Sequence, residues 1–114
     1  KDYYLNKKEI NYLKSLGMII GSHSESHTLL SRLSYREQFK ELNNSKIFLE
    51  KIINKSIDTF CYPYGGKISY NDNTLKILKK LKYKLAYSVE YRDISFKDIQ
   101  QKPYELPRYD CNLF

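Results

Sequence analysis

The sequence predicts an α/β protein in which helices alternate with short strands that pair in parallel. Three observations carry this. Segments with apolar residues at three- and four-residue spacing alternate with short apolar runs, Met18 to Ile20, Thr59 to Tyr62 and Leu85 to Val89. The stretches between those runs are long enough to return the chain to the same sheet end, which gives parallel pairing and right-handed crossovers. At 114 residues the chain is at most one domain with a modest core, without internal repeat, linker or low-complexity tract.

The elements follow in order. Asn6 is a candidate N-cap with Glu9 three residues on, and Ile10 and Leu13 supply an apolar stripe that Gly17 ends. Met18 to Ile20 reads as the first strand. Ser34-Tyr35-Arg36-Glu37 is a capping box, and Phe39, Leu42, Leu49, Ile52 and Ile53 recur behind it, so a helix is expected from about Tyr35 to Asn54. Thr59 to Tyr62 is the second strand, closed by Pro63-Tyr64-Gly65-Gly66. The polar stretch Ser69 to Asn73 opens a third helix carrying Leu75, Leu78 and Leu81. Leu85 to Val89 suits a buried third strand. Glu90 to Lys102 gives no element, and Glu105 to Cys111 reads as a short fourth strand.

Composition narrows the function. The net charge of +7 and 12 Tyr invite a nucleic-acid reading. However, the lysines outnumber the arginines and are spread among acids (Lys40, Glu41, Lys46, Glu50, Lys51, Lys55), the pattern of solvated helix faces, so no nucleic-acid partner is expected. No stretch reaches the length of a membrane span, no signal peptide is recognised, and both ends read as cuts through a larger domain. Cys61 and Cys111 form no disulfide framework; each lies in or beside an expected strand and reads as a small buried residue.

The only two histidines stand four apart in Gly21-Ser22-His23-Ser24-Glu25-Ser26-His27. They follow the first strand directly, at the C-terminal strand ends where α/β folds build their sites. Neutral imidazole is the commonest protein metal ligand and suits Zn²⁺. Ser24 occupies the place where a His-Glu-x-x-His protease needs its Glu, and the segment is too rich in Gly and Ser for a helix interior. The pair therefore reads as a metal pair on a loop or first helical turn, against the plainer reading of two surface histidines in a polar turn, and as a metal pair it needs a further ligand, expected to be a carboxylate from elsewhere. Because strands one and two are parallel, the histidine loop and the Pro63-Tyr64-Gly65 loop leave the same sheet edge and are expected to converge.

Four segments together carry a family resemblance. Ile20 to His27 with Leu30-Ser31-Arg32-Leu33-Ser34, then Phe60 to Gly65, Leu81 to Val89, and Leu106-Pro107-Arg108 resemble, in order and spacing, motifs of the polysaccharide deacetylases, carbohydrate esterase family 4. The resemblance implies a distorted (β/α) barrel, of which residues 1–114 are a partial deacetylase domain. It also implies metal-dependent hydrolysis of acetyl groups, N-acetyl above all, on an aminosugar polysaccharide or oligosaccharide. By position, His23 and His27 would bind a divalent metal, Zn²⁺ first with Co²⁺, Ni²⁺ or Mn²⁺ as alternatives. Ser24 would brace the loop. Tyr64 would give its backbone N–H to the oxyanion, and Pro63 and the Tyr64 ring would line the acetyl site. The Asp-Asp motif and the late His motif of the family are absent, and Cys61 stands where its third motif has Arg, which makes Arg108 the candidate for that orienting role. Work outside the cytoplasm is implied. The alternative is an inactive relative that binds carbohydrate or metal.

Overall fold

The computed structural model of the chain describes residues 4–113. Helix α1 spans Lys7–Ser15, α2 Tyr35–Ile53, α3 Asp72–Lys80 and α4 Phe96–Gln101; strand β1 is Thr59–Cys61 and β2 Leu85–Tyr87. Single 3₁₀ turns lie at Leu30–Arg32, Lys67–Ser69 and Cys111–Leu113. Each α-helix opens on a reciprocal cap: Asn6 with Glu9, Ser34 with Glu37, Asn71 with Thr74, and Ser95 with Asp98. The cap side chain takes an orphan N–H of the first turn, an interaction worth about 1 kcal/mol. Helix α2 ends on Asn54 in the left-handed region, φ 52°.

β1 and β2 pair in parallel with Phe60 opposite Ala86, and one further residue pairs on each side, Ser22 beside Phe60 and Leu106 beside Tyr87. Four chain segments therefore lie side by side in the order Ser22, β1, β2, Leu106. The expected strand at Met18 to Ile20 does not form, the one bridge there falling two residues later at Ser22, and the expected strand Glu105 to Cys111 is reduced to the bridge at Leu106. On the Ser22 side, only Ser22 N–H to Thr59 O and Cys61 N–H to Ser22 O form, both 2.9 Å. The preceding residues flare away from the sheet, leaving Ile19 85% exposed. Gly21 is what lets this segment approach: a methyl there would stand 2.6 Å from Thr59 Oγ1 and 3.2 Å from Thr59 O.

Two further expectations change. Helix α4 forms within Glu90 to Lys102, where no element was expected; its Phe96 and Ile99 are exposed, so the Ser95–Asp98 cap holds it, not a buried stripe. Cys111 is exposed in a 3₁₀ turn, while Cys61 is half-buried in β1.

The core is formed by Leu42, Ile53, Ile57, Phe60, Ile77, Leu78 and Ala86, with Leu30 and Tyr62 beside them. Gln38 sits among these groups fully satisfied. Its Nε2 donates to Leu33 O and Asn71 Oδ1, each at 3.2 Å, and its Oε1 accepts from Thr74 Oγ1 at 2.5 Å. That network ties α2 to the cap of α3. Tyrosines serve the same end. Tyr62 stacks on Tyr70 at 4.2 Å and donates to Tyr104 O, Tyr70 donates to Glu105, and Tyr104 donates to Tyr83 O. Among the described residues no helix is long and apolar enough to cross a membrane.

Leu42 is fully buried, so Leu42→Ala is expected to lower unfolding free energy by about 2–5 kcal/mol, read from urea melts. Acid acts through three carboxyls held below their usual range. The Arg92 guanidinium and the Ser95 N–H do this for Asp98, and the Ser34 N–H for Glu37. For Glu50, burial pushes the carboxyl up, but the Lys46 ammonium and the Ile57 N–H outweigh it. Groups depressed on folding stabilise above the unfolded pKa of about 4.3 (about 3.9 for Asp98), and that contribution is lost as pH falls below it. The urea midpoint should thus decline between about pH 4.3 and 2.5, less steeply in Glu50→Gln; a flat midpoint would refute this.

Candidate functional site

The candidate site lies where the sheet's C-terminal edge releases two loops. Ser22 is locked beside β1, so His23, the next residue, is delivered to that edge. Its Nδ1 lies 2.6 Å from Cys61 O. A carbonyl only accepts, so Nδ1 carries the proton and the lone pair is left on Nε2. The His27 ring stands 4.8 Å from that of His23, centroid to centroid, and both residues are exposed. On its other side His27 meets the Tyr64 ring at 4.9 Å. Residues 23, 27 and 64, spread over two loops, therefore form one cluster.

The backbone is strained here. Ser24, His27 and Tyr64 adopt φ of 69°, 56° and 70°. Each costs a residue with a Cβ on the order of 1–2 kcal/mol, and such strain persists only where neighbours hold it. Ser24 Oγ accepts the His27 N–H at 3.0 Å, closing the histidine turn. Glu41 on α2 holds the middle of the same loop, accepting from Ser26 N–H at 2.9 Å and Ser26 Oγ at 2.8 Å, with Thr28 Oγ1 at 3.4 Å. Asn44 donates to Glu25 beside them. Neither the Glu41 clamp nor the Cys61 carbonyl was anticipated from the sequence. Glu41 reads there as one more solvated helix acid, and the sole hint is a loop rich in hydroxyls, Ser22, Ser24, Ser26 and Thr28.

In the second loop Pro63 is buried and Tyr64 is 65% exposed. Among the described residues no acceptor takes the Tyr64 N–H. Gly65, at φ 87°, turns the chain over Val89 and Arg108: a methyl would overlap Val89 and come within 2.9 Å of Arg108 Nη2. Arg108 thus lies under this loop, with its buried Nε meeting no partner among the described residues. No group of three or more His, Cys, Asp or Glu close enough to hold a metal occurs among the described residues. The arrangement offers two convergent imidazoles, a free backbone donor and a half-buried guanidinium.

Because the Glu41 contacts are exposed, Glu41→Ala is expected to lower stability by less than about 1.5 kcal/mol. Its larger effect falls on the loop: amide exchange at Ser26 should accelerate at least tenfold with α2 unchanged. Unaltered protection at Ser26 would show that Glu41 does not hold the loop.

Comparison with known proteins places this geometry. The family model described as polysaccharide deacetylase matches residues 2–86. The chain is 40% identical over 63 residues to a peptidoglycan-N-acetylmuramic acid deacetylase of Bacillus subtilis, covering 55% of this chain and 13% of that protein. It is 30% identical over 100 residues to the poly-β-1,6-N-acetyl-D-glucosamine N-deacetylase of Staphylococcus aureus, covering 80% of this chain and 33% of the other. The solved Streptococcus pyogenes deacetylase PplD, in complex with acetate, is 30% identical and superposes with a TM-score of 0.83 over 92% of this chain and 44% of that one. A Bacillus cereus polysaccharide deacetylase at 24% identity shares the fold, with a TM-score of 0.79 over 92% of this chain and 32% of its own. The chain spans at most about a third of the length of the curated relatives it matches. With its parallel strands, alternating helices and converging loops, the chain belongs to the polysaccharide deacetylase family and folds as part of that family's distorted (β/α) barrel.

Proposed function

We propose that this chain carries the metal-binding and oxyanion part of a divalent-metal-dependent deacetylase acting on N-acetyl groups of an aminosugar polysaccharide. The observation that carries the reading is the pairing of His23 and His27 at 4.8 Å with the His23 Nδ1 proton tied to Cys61 O. An imidazole so fixed presents Nε2 as its ligating atom, the orientation that supported metal ligands adopt. The donor set fits zinc as two of the three protein ligands a catalytic site uses, with Co²⁺, Ni²⁺ or Mn²⁺ as substitutes. A bound divalent ion supplies Lewis acidity toward an acyl carbonyl and toward water.

The chain's own residues do the rest. Ser24 and Glu41 keep the two imidazoles in register. The Tyr64 N–H donates to the oxygen that gains negative charge at the acetyl carbon; losing one such donor elsewhere costs about 10²–10³ in kcat. Pro63 and the Tyr64 ring line the acetyl group. Arg108, with Nε free beneath the loop, orients a carboxylate base that the described residues do not bring to the site. The relatives named for N-acetylmuramic acid and poly-N-acetylglucosamine deacetylation support the substrate class. An inactive relative that binds metal or carbohydrate is the second reading, favoured by the lack of a nearby acid among the described residues.

Acetate release from N-acetylglucosamine oligomers with Zn²⁺ or Co²⁺ decides between them. The 114-residue chain alone should bind metal weakly and release no acetate, whereas the natural chain with its flanking sequence should turn over. His23→Ala or His27→Ala in that longer chain should weaken metal binding by at least about tenfold and abolish turnover. Turnover by the short chain would refute the need for outside carboxylates. A longer chain that binds metal without turnover would establish the inactive reading.

A further inference from the structure

Two grooves flank the histidine loop, and they differ in charge. One, about 300 Å³, is lined by Glu25, Glu37 and Glu41 against the single cation Lys40. The other, about 450 Å³, is lined by Leu29, Arg32, Tyr64, Gly66, Ile68 and Ser69, with no carboxylate. Tyr64 joins it to the site, because the ring that lines this groove also packs on His27. Its walls are fixed. Ser31 Oγ donates to Ile68 O at 2.5 Å and ties the Leu30–Arg32 turn to the Lys67–Ser69 turn. Buried Leu30 anchors the first turn, and Ser69 N–H to Gly66 O closes the second.

The lining has two parts with different chemistry. Tyr64 and Ile68, 65% and 83% exposed, offer an aromatic and an aliphatic surface. Such surfaces suit the apolar face of a sugar ring. The Arg32 guanidinium is the groove's one charge, and among the described residues it meets no carboxylate or other acceptor. Its planar fork of donors matches a carboxylate or phosphate. We infer that this groove binds the sugar unit next to the acetylated one, and that Arg32 recognises an anionic substituent, carboxylate or phosphate, on that unit. The inference rests on the deacetylase reading above and gives it a substrate class: an acidic aminosugar polymer. The groove lined by Glu25, Glu37 and Glu41 repels the same substituent, so charge sets which way the polymer runs past the histidines.

The test uses the natural full-length chain loaded with Zn²⁺ and three tetrasaccharides: a neutral N-acetylglucosamine oligomer, one alternating with N-acetylmuramic acid, and a 6-phosphorylated N-acetylglucosamine oligomer. At least one acidic oligomer should exceed the neutral one in kcat/KM by about tenfold, mainly through KM; which one does identifies the anion. Arg32→Ala should reduce that ratio about tenfold, Arg32→Lys should restore part of it, and added salt should shrink it. Lys51→Ala, the same loss of charge at the far end of α2, should leave the ratio intact. Equal kcat/KM on all three, or a ratio indifferent to Arg32→Ala, would overturn the inference. Absence of turnover on every oligomer, or turnover that survives His23→Ala, would instead count against the deacetylase reading. Calorimetry with the non-acetylated acidic oligomers then judges the groove alone: tighter binding that Arg32→Ala weakens supports it, and binding indifferent to Arg32 overturns it.

Discussion

The backbone of Thr59–Cys61 is hydrogen-bonded on both flanks, and the site is assembled by that strand. On one side Thr59 O and Cys61 N–H grip Ser22, and on the other β1 runs in register with β2. At its end the Cys61 carbonyl, free of the ladder, takes the Nδ1 proton of His23. One residue thus closes a bridge through its N–H and sets a side-chain tautomer through its C=O. Phe60, pointing the other way, is buried in the core, so the placement of the histidine is coupled to packing. A shift of β1 by one residue would move both at once.

The loops above that strand are held against their own preference. Among the described residues, three of the five non-glycine positions at positive φ are Ser24, His27 and Tyr64, and each lies where the two loops meet. The tethers that oppose this strain come from separate elements: Glu41 from α2, Ser24 from within the loop, and Ser31 reaching Ile68 across the 3₁₀ turns. Most are exposed and individually modest, so the loop edge belongs to the low-stability end of the molecule while β1 belongs to the high end. Such a division lets a buried strand aim groups that an exposed, tethered rim presents.

Tyrosine use follows from the same economy of size. A small domain buries limited surface, and long side chains with a polar tip serve as core and staple together. Tyr62 and Tyr70 bury their rings and Tyr104 partly does, and each donates to an oxygen in a different segment. Burial pushes the phenols of Tyr62 and Tyr70 above their ordinary range and Tyr83 up to about 12, so all three stay neutral; Tyr62 and Tyr70 donate, whereas the buried Tyr83 hydroxyl meets no partner among the described residues. These bonds seat Tyr104 to Leu106 beside β2, and Arg108 reaches the second loop as a consequence.

The local layer was legible in the sequence. Asn6 with Glu9 and Ser34 with Glu37 mark helix starts within four residues of chain, and the apolar stripe of α2 repeats within one turn, so neither needs a distant partner. The histidine spacing and the Pro63-Tyr64-Gly65 loop were legible for the same reason, as was their common sheet edge once the alternation fixed parallel pairing. The tertiary structure alone decided the rest. Met18 to Ile20 has strand composition, yet it lacks a ladder because only Ser22 meets a partner, and α4 forms on a cap without a buried face. The Glu41 clamp joins residues 15 apart and the Cys61–His23 bond residues 38 apart. Which carbonyl orients an imidazole, and which acid holds a loop, depends on the register of strands and the rotation of a helix. Those are set by packing among remote side chains, which no local window of sequence contains.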